Sequence, residues 1–65
     1  MAYNASEVRQ VCYTHRMHVS RMAGEWRITP NEIHGTPRGE KVAYYTDDNE
    51  DAICTAIAMR RSFHN

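Results

Sequence analysis

Tyr44-Tyr45-Thr46-Asp47-Asp48-Asn49-Glu50-Asp51 runs from an aromatic, strand-favouring segment straight into a cluster of carboxylates, followed by an alanine-rich helical pattern. Acidic side chains in a first helical turn meet free backbone N–H groups and the positive end of the macrodipole, so the cluster marks a strand-to-helix junction. Asp47 is placed as N-cap with Glu50 as its capping-box partner, and Thr46 is nearly as good a cap. Downstream, Ala52, Ile53, Ala56, Ile57, Met59 and Phe63 share one broad face of a helix expected over 48–62. Upstream, Lys41-Val42-Ala43-Tyr44-Tyr45-Thr46 reads as a strand over 41–46.

Before that strand, residues 30–40 hold Pro30, Gly35, Pro37 and Gly39 with Ile33 as the one large apolar residue, the composition of a long connecting loop. Glu25-Trp26-Arg27-Ile28-Thr29 alternates, which puts Trp26 and Ile28 on one side of a half-buried strand over 25–29 until Pro30 stops it. At the N-terminus, Asn4 is a preferred N-cap with Glu7 three residues on, and Tyr3 is placed to staple onto Val8. Val8, Val11, Cys12, His15, Val19 and Met22 then recur at three- and four-residue steps until Gly24, which predicts one helix over 5–23. Val11, Cys12, Tyr13, Thr14 and Val19 also tolerate a strand, so an extended conformation for Met17 to Met22 is the competing reading. The expected fold is α+β: a small αββα domain in which two helices pack a two-stranded antiparallel hairpin.

A chain of 65 residues forms one domain and buries too small a fraction of its surface to be comfortably stable without help. A lone two-stranded ribbon is marginal in water and leaves its edges open, so the sheet is expected to be extended, or the core completed, by a homodimer. Cys12 and Cys54 are the only cysteines, too few for a disulfide framework. Without a basic, apolar start or an apolar run approaching about 20 residues, the chain reads as cytoplasmic, with no membrane partner.

Eight basic residues balance eight acidic ones. Setting aside Asp47, Asp48, Glu50 and Asp51 leaves eight positive against four negative charges, a modest basic surplus below that of a dedicated nucleic-acid binder.

Cys12, His15 and His18 lie at three-residue steps and would be neighbours on a helix, with Cys54, His34 or His64 as a fourth ligand. Structural zinc sites show paired ligands at tighter spacing, so no metal or other cofactor is expected. The acidic cluster lacks the glycine and distal glutamate of a calcium loop, and capping explains it without a cation. No G-x-S-x-G, phosphate-cradling glycine loop or H-E-x-x-H occurs, and no enzyme is expected. What remains is recognition. Tyr45, Asp47, Asp48 and Asp51 offer charge and flat area to a basic protein partner. Arg9, Tyr13 and Arg16 on the first helix, with Arg60, Arg61 and His64 at the C-terminus, offer the alternative of a nucleic-acid contact. The function expected is that of a small non-enzymatic protein–protein interaction module. An inhibitor or accessory subunit of a larger complex would fit that description, of the kind phages and mobile elements carry. A small nucleic-acid-binding regulatory protein is the alternative.

Overall fold

The computed structural model describes residues 3–63. Helix α1 spans Ala5–Thr14 and starts as its sequence dictates: Asn4 Oδ1 accepts from the Glu7 N–H at 2.8 Å, and Glu7 Oε1 accepts from the Asn4 N–H at 2.9 Å. Tyr3 packs against the core cluster that contains Val8, at the place of the expected staple.

The helix does not continue to residue 23. The chain turns at Arg16, whose φ is 55°, and Met17–Met22 forms strand β1. Val8 and Cys12 keep the helical step and are buried, but from Met17 onward the apolar step is two: Met17 is buried and Val19 packs on the same cluster. Gly24, expected to end a helix, sits instead in a hairpin turn beside Ala23, with φ of 51° at Ala23 and 82° at Gly24. Both uses of the glycine exploit the left-handed region, so its presence did not discriminate between them.

Strand β2 (Glu25–Pro30) pairs antiparallel with β1 on one side and with β3 (Tyr44–Thr46) on the other, in the order β1-β2-β3. The expected hairpin partners do pair, with Trp26 opposite Thr46 and Ile28 opposite Tyr44. They form two-thirds of a three-stranded sheet. The expected loop is also structured: a 3-10 turn at Asn31–Ile33 leads to helix α2, Pro37–Val42, which takes Lys41 and Val42 from the expected strand. Thr36 caps α2, its Oγ1 accepting from the Gly39 N–H at 3.1 Å, and Pro37 occupies the first turn, where a missing N–H costs nothing. Gly39 lies so close to the Ile33 carbonyl oxygen that a Cβ there would collide with it. The last helix, α3, spans Asn49–Ser62 with Asp48 as its cap.

Helices α1 and α3 cover one face of the sheet. Between them Val8, Cys12, Met17, Trp26, Ile28, Ala52, Ile53 and Ala56 make one core, in which Trp26 and Ile28 have no exposed surface. This shielding comes from the chain's own atoms and removes the packing reason for a twin. On the opposite face Arg27 is 8% exposed, donating to Thr29 Oγ1 at 3.0 Å, Tyr45 Oη at 3.2 Å and Glu40 Oε2 on α2 at 2.6 Å.

Candidate functional site

Open ground lies where α1 meets the outer strand. A groove of about 630 Å³ is walled on the α1 side by Ser6, Arg9, Gln10 and Tyr13. Its other wall is Met17, His18 and Val19 of β1, with Asn31 at one end. Side chains of three consecutive strand residues alternate between faces, so all three line one groove only where it follows the strand edge.

The hydrogen-bonding state of that edge follows from the register. The Asn31 N–H donates to the Arg16 carbonyl at 3.1 Å, and the two-residue turn closes on Met22 opposite Glu25. Bonded and non-bonded pairs alternate in an antiparallel ladder, so His18 and Ser20 exchange bonds with Thr29 and Arg27. Met17, Val19 and Arg21 then turn their backbone N–H and C=O groups outward, away from β2. Pro30, which has no N–H, sits opposite Met17, where the ladder asks for none.

Among the residues lining the groove Arg9 is the one that carries a full charge, and Arg21 follows on β1 beyond Val19. Arg9 and Arg21 both lie over the Trp26 ring, at 5.1 and 4.4 Å from its centroid, and neither has an ion-pair partner among the described residues. The indole is held in turn by α3, its Nε1–H donating to Asn49 Oδ1 at 2.8 Å. None of the residues lining the groove is acidic. Tyr13, 82% exposed, supplies a flat amphipathic surface.

Of the residues singled out for nucleic acid, Arg9 and Tyr13 reach this groove and Arg16 does not. Arg16 serves the corner between α1 and β1, where Arg60 donates to the carbonyls of His15 and Arg16, each at 2.7 Å, and forks onto Glu32. That guanidinium holds the Glu32 carboxyl below the usual carboxylate range. Arg60 is therefore a structural clamp, and His64 lies outside the described residues.

The set named for a basic protein partner is divided. Tyr44 and Tyr45 are adjacent on β3 and face opposite ways: Tyr44 Oη donates to Asp51 Oδ2 at 2.8 Å, whereas Tyr45 Oη accepts from Arg27 on the far face. The Asp51 carboxylate raises the Tyr44 phenol above its ordinary range. Asp48 Oδ1 accepts from the Asp51 N–H at 3.0 Å as the cap of α3, the place expected for Asp47, which is exposed.

The Cys/His triplet is dispersed because the helix that would have aligned it ends early. Cys12 is in the core, with its thiol pushed up to about 11 by burial, which suppresses the reactive thiolate. His15 Nδ1 bonds the Val11 carbonyl at 2.9 Å, and His18 stacks on His34 with ring centroids 3.5 Å apart. Among the described residues no cluster of three or more metal-ligating side chains occurs, and no helix is long and apolar enough to cross a membrane.

Comparison with protein-family models, curated proteins and solved structures finds no match. The expected helix over 5–23 hid the groove's β1 wall and the neighbouring Arg21, which only the competing extended reading of Met17 to Met22 allowed; the two-residue step of Met17 and Val19 was the signal in its favour.

Proposed function

We propose that this chain is a non-enzymatic protein-interaction module, acting as an accessory subunit or inhibitor that receives its partner in the α1–β1 groove. The observation that supports this reading most is the open strand edge, where alternate residues offer both donors and acceptors beside the exposed Tyr13. Strand edges of this kind are templates for another polypeptide, and exposed tyrosine and arginine are favoured anchors. The acidic surface around Asp47 and Tyr45 is the weaker candidate, since Asp48, Asp51 and Tyr45 already hold intramolecular bonds.

A nucleic-acid contact is the second reading, favoured by the pairing of Arg9 with Tyr13 in a groove without lining carboxylates. The two predict different salt behaviour, because phosphate binding releases counterions and weakens steeply as salt rises. Affinity capture from the native source, comparing the unaltered chain with Tyr13→Ala and Arg9→Gln, tests the proposal. Both variants are expected to melt close to the unaltered chain and to lose the captured protein. Retention of the protein by both variants, or capture of nuclease-sensitive material alone that washes off in moderate salt, would overturn it. A second copy of the chain in the groove would appear as self-association lost in the same variants.

A further inference from the structure

We infer that the groove takes an extended, acidic segment of its partner as a fourth strand on β1, which rests on the protein-interaction reading and adds the partner's conformation and charge. Strand addition requires unpaired main-chain groups at two-residue spacing, space beside them, and side-chain pockets that set specificity. Met17, Val19 and Arg21 supply the first, the groove the second, and Arg9 with Arg21 part of the third.

Charge selects the occupant. Stacking on Trp26 holds both guanidinium groups in place without neutralising them, so an arriving carboxylate meets cations that are already ordered. A second copy would bring its own Arg9 to the same groove, with its Arg21 close by on β1, and like charges across an interface are unfavourable. A nucleic-acid strand would satisfy the cations but leave the outward carbonyls without donors along a phosphate backbone.

The geometry also sets the pattern of the segment. Side chains opposite Met17, Val19 and Arg21 stand on the α1 side, beside Arg9, where carboxylates are favoured. The intervening ones stand on the side of Ser20 and Met22, and Met22 is 60% exposed, so apolar residues fit there.

The test uses the full chain and a blocked synthetic peptide of alternating glutamate and valine, followed by amide hydrogen exchange and NMR titration. The Val19 and Arg21 amides are expected to gain protection on binding, while the His18 and Ser20 amides, already bonded to β2, change little. A lysine-for-glutamate peptide is expected to bind about tenfold or more weakly, the loss of one charge-assisted contact. Val19→Pro removes an outward donor at a position where an edge strand tolerates proline, and is expected to abolish binding with the hairpin intact. Should that variant not fold, a peptide N-methylated on its pairing edge makes the same test on the unaltered protein and is expected not to bind. Shifts at Arg9 and Tyr13 without new protection at Val19 and Arg21 would overturn strand addition while leaving the interaction reading standing. Equal binding of the lysine peptide, no perturbation of the groove by the acidic one, or protection produced instead by self-association or by a uridine-rich oligonucleotide would each overturn the inference.

Discussion

Trp26 joins the interior of this protein to its candidate surface. Its ring fills the core, its N–H is satisfied by Asn49, and Arg9 and Arg21 lie over the ring, so the cation of the groove and its neighbour on β1 are both positioned by the largest fully buried side chain of the sheet. The sequence places Trp26 on the inward side of a strand by alternation alone. Its three polar neighbours were not legible, because each comes from a different element. His18 is the residue whose chemistry is most exposed to pH. Burial first, then His34 and Arg27, lower its pKa from the ordinary 6.5, and its Nδ1 has no hydrogen-bond partner among the described residues. Below that value the unfolded chain takes up a proton that the folded one resists, so stability falls as pH drops from about 6.5 toward the folded pKa. A second loss, from Glu32, begins only as pH falls below about 4.5, since its folded carboxyl is depressed by Arg60 and its contribution is present above that range. Thermal melts across pH are expected to show the first step, and His18→Phe, which keeps the stack on His34, is expected to flatten it. An unchanged profile in that variant would assign the step elsewhere.

At the scale of elements, the corner between α1 and β1 makes the sheet three-stranded, and Arg60 holds it across a separation of 45 residues from His15. Arg60→Ala leaves the carbonyls of His15 and Arg16 without those donors and frees Glu32; the part-buried bond to the His15 carbonyl is expected to carry most of the loss, about 1 kcal/mol, read as a lower denaturation midpoint. Lysine at this position keeps the charge without the fork and is expected to recover only part. A midpoint unchanged by Arg60→Ala would mean that the corner stands without the clamp. Helix starts were legible because caps are local: Asn4 with Glu7, and the acidic turn before α3, need only residues three apart. The end of α1 was not, since Gly24 suits a helix terminus and a hairpin turn alike, and the apolar positions from Val8 to Met22 satisfy a helical step for as long as no partner strand is considered. Helix α2 was hidden by its own glycine, which lowers helix propensity but is the residue that can lie against the Ile33 carbonyl.

For the whole molecule, the decisive fact is that the core closes on itself. Unfolding is therefore expected to be independent of protein concentration, and any homodimer to form from already folded monomers. Melting temperatures that rise with concentration over a wide dilution series would return the twin to the core. Half of the proposed groove, Arg9 and Tyr13, could be named from the chain because outward arginine and tyrosine on an amphipathic helix are visible in its periodicity. The other half is a strand edge, which exists only once a third strand has formed. The sequence by itself determined an α+β domain, the inward side of β2, the capped start of α1, that of α3 to within one residue, and the pairing of β2 with β3, all from periods and caps acting over a few residues. Tertiary structure decided between the helical and extended readings of Met17–Met22, because for a segment whose local preferences nearly balance, the hydrogen bonds and buried area supplied by Glu25–Pro30 tip the choice.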